Sequence, residues 1–495
     1  MLCKYNFQEG NFVLHQFQQV SLFWTLKWIP GNIKPEKQEN GSLAFEVRNI
    51  AGFRMEELMP PEYWLRSRID CYYVLGPPVS SQFWPSESAS MATIMEKYLG
   101  DPKKLKPYLA GIISPDDSPE TQLRKLYSRV QKIRYLNLER SRTEQEEKRQ
   151  KIEENKKVED VLKHDYAYGN EINLAFVALA RAAGFESAPI MVTSRSTNFF
   201  EPRLPLFSQL DSMLVWARAG GKDYFLDPAA KFCPFDLLPW EESASEGIVV
   251  TNKTYHFEQN ARIKPDKLLS TPRPTSDAAV IERVAALELS PDGSVSGSVA
   301  IMFVGQEALA RRSSAHNMDE ATRKKSLEEE IKEWLPPAAT VELKDPVNWE
   351  ESDQPLRAAF SLKLPEFATT TGRRLLFRAG LFEASVKSFE QGTRKHDIYF
   401  PYPYQQKDDV TWTIPAGYKL GNLPEKRNLK TIYGTYDLSA DAGENRIRFK
   451  RHFTSESLYI PVAQYWAIRA HFNQARQWDE GQMVLESTGA SDAND

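Results

Sequence analysis

Few side chains in this 495-residue sequence have both the type and the spacing that nucleophilic chemistry requires. The three cysteines, Cys3, Cys71 and Cys233, are odd in number and far apart, so they predict neither a disulfide framework nor a zinc site. A thiol nucleophile also needs a nearby base. Cys233 is the candidate thiol, and His164 is the single histidine between residues 118 and 250.

A metal site is not predicted. The sequence contains no HExxH-type spacing. His164 beside Asp165, or Asp211 together with Glu171, would supply too few ligands. We therefore predict no metal and no cofactor.

The element that must position any chemistry is a helix over residues 171–182. Asn170 precedes it as a favourable N-cap, and Gly184 follows it as a C-terminal stop that tolerates positive φ. The helix is apolar over most of its circumference, which predicts burial, and a buried strand is predicted at 188–193. Glu171 then lies in the first turn, where the helix dipole favours a negative group.

The stretch from Tyr168 to Gly184 resembles the nucleophile helix of the bacterial transglutaminase-like (papain-like) superfamily. In that family Tyr-Gly-Asp-Cys precedes a helix ending in Ala-Leu-Gly, a His lies on the next strand and an Asp on the strand after it. On this pattern Glu171 occupies the Cys position and Ser212 the His position, while Asp227 keeps the third position.

The resemblance implies an α+β fold, with a papain-like transglutaminase core between two mostly antiparallel β-sandwich modules. It also implies lost catalysis. A carboxylate at the helix start is a poorer nucleophile than a thiolate, and without an imidazole at 212 no group shuttles the proton. We expect Glu171, Ser212 and Asp227 to be vestigial triad positions, joined by hydrogen bonds such as one from Ser212 to Asp227.

Two rebuilt catalytic sites stay open as alternatives. In the family pattern position 164 precedes the nucleophile helix, so His164 could contact Cys233 and activate its thiol. Alternatively, Glu171 and Asp227 could form a carboxylate pair for acid–base hydrolysis. A buried, inert Cys233 and a purely polar remnant are the interpretations that we favour.

Four segments are predicted along the chain. Alternating apolar residues predict strands in an N-terminal β-sandwich module at 1–78, which lacks the first half of the corresponding family domain. Residues 79–117 form a linker that contains a helix, 118–250 the transglutaminase-like core, and 275–495 a C-terminal β-sandwich module.

Local signals predict several further elements. Ser118 followed by a proline starts a helix, and the Glu-, Lys- and Arg-rich run 141–160 predicts a solvated helix. Residues 280–303 predict a hairpin around Ser-Pro-Asp-Gly, and 306–334 predicts a crossover helix.

Composition excludes several classes. With 41% hydrophobic and 12% aromatic residues the chain is not disordered, and a net charge of −4 argues against a nucleic-acid-binding surface. No apolar run reaches the roughly 18 residues of a membrane-spanning helix, and the N-terminus does not fit a signal peptide. The resemblance implies a periplasmic or envelope-associated protein, and a cytoplasmic location stays open.

The sequence thus supports three functional hypotheses. The first is a non-catalytic component of the bacterial cell envelope that binds a protein or peptide or serves as a scaffold. In this hypothesis Phe199 and Phe200 lie in an exposed loop along a binding groove. The second is an active thiol or carboxylate hydrolase or acyltransferase with a rebuilt site. The third is a purely structural spacer. The oligomeric state stays open.

Overall fold

The chain folds as two compact units, Met1–Ala230 with Trp240–Arg273 and Lys231–Pro239 with Pro274–Asp495. This division is coarser than the four predicted segments, which stay predictions. The computed structural model describes residues 9–14, 21–27, 34, 36–39, 43–48, 52–74, 80–139, 143–150, 152–253, 267–382 and 388–488.

The first unit mixes helices with short strands. Its helices are α1 Glu62–Leu65, α2 Ser80–Leu99, α3 Pro102–Leu109, α4 Pro119–Gln131, α5 Glu144–Gln150, α6 Val158–His164 and α7 Glu171–Ala182. Its strands are β1 Glu9–Leu14, β2 Ser21–Lys27, β3 Glu36–Lys37, β4 Leu43–Arg48, β5 Arg68–Val74, β6 Arg134–Tyr135, β7 Tyr166–Ala167, β8 Glu186–Val192, β9 Ser212–Ala219, β10 Lys222–Leu226, β11 Glu246–Val249 and β12 Leu268–Ser270.

Helix α7 is the centre of this unit. Ten of its twelve residues are buried, because the helix packs on β8 and β9 and is surrounded by α2, α3, α4 and α6. The sheet beneath it is antiparallel, in the order β10-β9-β8-β11-β12. Gly184 adopts φ +96° just beyond the helix, as predicted for its stop.

The described strands near the N-terminus form two small sheets. One has the order β1-β4-β3 and the other pairs β2 with β5. Phe45 is buried, in agreement with the alternating pattern in this stretch.

The second unit contains three helices and the remaining strands of the described residues. Its helices are α8 Gln306–Ala315, α9 Glu320–Glu333 and α10 Tyr465–Asp479. Its strands are β13 Ala279–Leu289, β14 Val295–Gly305, β15 Thr340–Leu343, β16 Leu356–Leu364, β17 Thr369–Thr371, β18 Arg374–Arg378, β19 Ile398–Tyr399, β20 Tyr404–Thr413, β21 Tyr418–Asn422, β22 Arg427–Thr431, β23 Gly434–Ala442, β24 Arg446–Ser455, β25 Tyr459–Ile460 and β26 Gln482–Ser487.

Two sheets of the second unit share one apolar core. The larger has the order β15-β16-β14-β13-β20-β24-β23-β22, in which only β13 and β20 pair in parallel, and the smaller has the order β17-β18-β26-β21. Trp412 from the larger sheet meets Phe377 from the smaller edge-to-face, with 5.1 Å between ring centroids. The α+β class is therefore confirmed, whereas a papain-like core stays a prediction.

Several local predictions need correction. Asn170 makes no side-chain cap hydrogen bond. The charged run 141–160 is not one helix, because α5 ends at Gln150 and the next helix begins at Val158. The crossover helix is also divided, since Asp319 caps a new helix by accepting from the backbone N–H of Thr322. Among the described residues, no helix is both long and apolar enough to cross a membrane.

A ladder of alternating charges is buried in the second unit, and we call Arg283, Asp408, Arg451 and Asp479 the charge ladder. Strand pairing places Arg283 opposite Asp408 and Asp408 opposite Arg451. Arg283 Nε donates to Asp408 Oδ1 at 2.6 Å, and Arg451 Nε donates to Asp479 Oδ1 at 2.9 Å. The Arg283 side chain is fully buried.

We expect Asp408→Ala to destabilise the second unit by about 3 kcal/mol, because it leaves Arg283 as a buried charge without its carboxylate partner. Asp409→Ala is the matched control. Asp409 lies on the same strand as Asp408 and forms a more exposed ion pair with Arg448. Its loss should lower the free energy of unfolding by less than about 1 kcal/mol. Denaturant midpoints measure both, and equal losses would contradict a structural role for the ladder.

Candidate functional site

The Glu171 carboxylate is held at the start of α7 by three donors. Its Oε2 accepts from the backbone N–H of Tyr168 at 2.8 Å and from Asn155 Nδ2 at 2.9 Å, and its Oε1 accepts from the Tyr98 hydroxyl at 2.7 Å. Burial and this hydrogen bond raise the pKa of Tyr98. Asn170 was predicted to accept a backbone N–H at the helix start, but it is the Glu171 side chain that accepts one, from Tyr168.

His164 joins the same group through Asn155. Asn155 Nδ2 donates to Glu171 and to the Tyr166 carbonyl. The Asn155 Oδ1 therefore faces His164 Nδ1, at 2.8 Å. An amide oxygen only accepts, so the proton is assigned to Nδ1. The imidazole also stacks on Tyr166, with 5.1 Å between ring centroids. We call Tyr98, Asn155, His164 and Glu171 the helix-start cluster.

A second polar group lies on another face of α7. Asn173 is two residues beyond Glu171, which corresponds to about 200° around a helix. Its Nδ2 donates to the Met213 carbonyl on β9 at 2.6 Å and to Asp227 Oδ1 at 3.0 Å. The backbone N–H of Ala229 also donates to that carboxylate, at 3.0 Å. Asn173 and Asp227 are both buried.

Glu242 completes this group, although no sequence pattern singled it out. Its Oε1 accepts a hydrogen bond from the Ser212 hydroxyl. Its Oε2 is buried and has no hydrogen-bond partner among the residues that the structure describes, yet the carboxyl groups of Glu242 and Asp227 lie close enough for each to act on the other. We call Asn173, Ser212, Asp227 and Glu242 the carboxyl cluster.

Two buried carboxylates in contact cannot both be ionised at low cost. Burial raises the pKa of Asp227 to about 6, against opposing hydrogen bonds from Asn173 and the backbone. Burial, and next the charge of Asp227, raise the pKa of Glu242 well above its usual value. A proton on Glu242 Oε2 would donate to Asp227 and satisfy the otherwise unpartnered oxygen.

The structure separates the vestigial positions predicted from the sequence. Ser212 and Asp227 belong to one cluster, but the predicted hydrogen bond between them is wrong because Ser212 donates to Glu242. The carboxylate pair of Glu171 with Asp227, which was the less favoured alternative, is not formed. Glu171 lies in the helix-start cluster, and Glu242 is the acid beside Asp227.

The other predicted residues are engaged elsewhere. Cys233 is fully buried in the segment Lys231–Pro239, which belongs to the second unit, and its Sγ lies 3.3 Å from the Leu237 carbonyl. Phe200 was predicted to be exposed but is buried edge-to-face against Trp84, with 4.9 Å between ring centroids. Half-buried Phe199 meets Trp64 at 5.2 Å.

No metal centre emerges from the residues that the structure describes, where no three His, Cys, Asp or Glu side chains are placed to hold an ion.

The carboxyl cluster contains a serine, a carboxyl that accepts its hydrogen bond and a second carboxyl behind it. This order resembles nucleophile, base and orienting group in a hydrolase triad. It differs because burial, and next the charge of Asp227, raise the pKa of the carboxyl in the base position.

Residues 373–485 match the family model for a domain of unknown function with a solved structure, DUF3858. No curated protein matches the sequence. A crystal structure from Parabacteroides distasonis ATCC 8503, described as a "putative protease", matches with a TM-score of 0.52 and 11% identity, covering 97% of this chain and 72% of that chain. At that identity the match shows a shared fold and carries no statement about activity.

We expect Cys233 to react slowly with iodoacetamide in native protein whose Cys3 and Cys71 are replaced by Ser, because the thiol is fully buried. The reaction should become fast in denaturant. Intact-mass spectrometry over a pH series measures the rate. Fast alkylation of the native protein near pH 6 would mean a stabilised thiolate and would restore Cys233 as a nucleophile.

We expect Glu242→Gln to stabilise the protein at neutral pH, since Gln keeps the acceptor for Ser212 and offers Asp227 an N–H. In the wild type the folded state holds protons more tightly than the unfolded chain. This part of the stability is therefore greatest below the ordinary carboxyl pKa of about 4 and falls as the pH rises through about 6.

The stability difference between the wild type and Glu242→Gln should accordingly grow by about 2 kcal/mol between pH 4 and pH 7. Melting temperatures across that range measure it. Glu246→Gln, at an exposed position on β11, is the matched control. A difference that stays constant with pH would show that Asp227 and Glu242 do not hold a proton together.

Proposed function

We propose that this chain is a non-catalytic protein with a protease-like fold that binds a peptide or protein segment as a component of the bacterial cell envelope. The observation that carries the proposal is the continuous set of hydrogen bonds and close contacts from Ser212 through Glu242 and Asp227 to Asn173. Ser212, Asn173 and Asp227 already have hydrogen-bond partners within the fold, so none of the three is held ready for a substrate.

The protonation of the carboxyl cluster argues against catalysis. A serine oxygen becomes nucleophilic when an adjacent base accepts its proton. Burial raises the pKa of Glu242; in its protonated form it could not accept that proton, and in its ionised form it would place two negative charges side by side in a buried site. The helix-start cluster offers no better nucleophile, because the Glu171 carboxylate accepts three hydrogen bonds.

Binding of a polypeptide is supported by the fold rather than by a groove lined with Phe199 and Phe200. The structure with the shared fold is described as a "putative protease", and a protease fold presents surfaces to polypeptide chains. If such a fold loses its reaction, recognition of the chain is what can remain. The envelope location follows from the resemblance to the bacterial transglutaminase-like superfamily.

One observation favours a second candidate, a serine acyl hydrolase. Ser212 is only half-buried, and its hydroxyl already donates to a carboxyl group. If Glu242 were ionised, Ser212 Oγ could attack a carbonyl carbon while its proton passed to Glu242 and then to the leaving amine. Water would afterwards hydrolyse the acyl–serine bond.

A fluorophosphonate probe distinguishes the two candidates, because it labels serines that have an active base. We expect no labelling of the wild type above the level of Ser212→Ala at pH 4, 6, 8 or 9. Ser298→Ala, an exposed serine on β14, is the matched control. Labelling that disappears in Ser212→Ala but persists in Ser298→Ala would overturn the non-catalytic proposal.

The binding half of the proposal is tested with fluorescein-labelled, reduced and carboxymethylated α-lactalbumin, an unfolded polypeptide. We expect saturable anisotropy changes, with the labelled chain intact on a gel after prolonged incubation. The absence of binding would overturn the binding role, and fragmentation that requires Ser212 would support the hydrolase.

A further inference from the structure

A cavity of about 280 Å³ opens on the outer face of the eight-stranded sheet in the second unit. One row of its lining crosses four neighbouring strands. Glu282 on β13 is opposite Lys407 on β20, Lys407 is opposite His452 on β24, and His452 is opposite Asp437 on β23. With strands about 4.8 Å apart, this row extends over about 14 Å.

Two acids in the lining are already neutralised. Asp408 belongs to the charge ladder, where it pairs with Arg283 and Arg451. Both oxygens of Asp409 accept from Arg448, at 2.7 and 2.5 Å. These two carboxylates therefore contribute little negative charge to the cavity.

Three lysines of the lining are left without such partners. Within the part of the chain that the structure describes, Lys407, Lys426 and Lys450 have no hydrogen-bond or ion-pair partner. Lys407 is half-buried, and the other two are exposed at the rim. The cavity thus presents three ammonium groups without a direct ion pair, although Lys450 acts electrostatically on Asp409 and Lys407 lies across the strands from Glu282. Ammonium groups with free donors suit carboxylate ligands.

The remaining acids define what else the ligand must carry. Glu282 has no ion-pair partner among the described residues, and Asp437 accepts only from the neutral Asn428 amide. A dense polyanion would meet these two carboxylates and be repelled. A segment with several acidic residues and at least one basic residue would satisfy both signs.

We propose that this face of the sheet binds an acidic peptide segment that also carries a basic residue. Its carboxylates would lie against Lys407, Lys426 and Lys450, and its basic side chain against Glu282 or Asp437. The cavity is small compared with most ligand sites, so it would hold one or two side chains while the rest of the segment crosses the strands. This inference rests on the proposed binding function and names the chemistry of the bound segment.

Fluorescence anisotropy with three labelled twelve-residue peptides tests the inference. The first carries three Glu and one Lys in a Gly-Ser background, the second inverts every charge, and the third replaces the charged residues with Gln. We expect the first to bind most tightly, with an affinity that weakens as salt rises. The double variant Lys407→Gln, Lys450→Gln should weaken its binding about tenfold.

Lys363→Gln is the matched control, because Lys363 is an exposed lysine on β16 at the far side of the same sheet. It should leave the affinity unchanged, and melting curves check that all variants fold. Equal affinity for the charge-inverted peptide, or an unchanged affinity in the double variant, would overturn this inference alone. If neither these peptides nor unfolded α-lactalbumin bound, the proposed binding function would itself be overturned.

Discussion

The first unit depends on one constraint: the carboxyl groups of Asp227 and Glu242 are both buried and interact, and burial raises the pKa of each, which favours a proton shared between them. Each is 6% exposed, so water cannot screen a second negative charge. The proton turns a repulsive pair into a donor and an acceptor. The neighbouring hydrogen bonds agree with this arrangement, because Asn173 and the Ala229 N–H stabilise charge on Asp227 while only a hydroxyl faces Glu242.

That arrangement links elements which are distant in the sequence. Asn173 belongs to α7, Ser212 opens β9, Asp227 follows β10, and Glu242 comes from the segment before β11. The hydrogen bond from Ser212 to Glu242 therefore belongs to the packing of the core, and the burial that raises the pKa of Glu242 also makes this carboxyl a weaker base toward Ser212.

Elements with strong periodicity were predictable from the sequence. The buried helix α7, the stop at Gly184 and the hairpin of β13 and β14 all follow from local patterns. The carboxyl cluster was only half predictable. Asn173 interrupts an apolar helix and could have been noticed as a buried polar residue, whereas Glu242 contacts Ser212 across 30 positions with no local signal. The helix-start cluster was missed for a related reason, because the direction of the Glu171 side chain depends on Tyr98 and Asn155.

The two units differ in which of their polar and charged side chains are already paired within the protein. In the first unit Ser212, Asn173 and Asp227 have hydrogen-bond partners within the carboxyl cluster or its neighbouring backbone, and the non-catalytic proposal rests on this. In the second unit the charge ladder pairs Asp408 with Arg283, and Arg448 pairs with Asp409, so two of the four acids that line the sheet cavity make their ion pairs with arginines and not with its lysines. Buried charges must be paired whatever the function. On this sheet, pairing them inside the protein leaves positive charge on its surface, and that surplus is what a ligand of opposite charge can recognise.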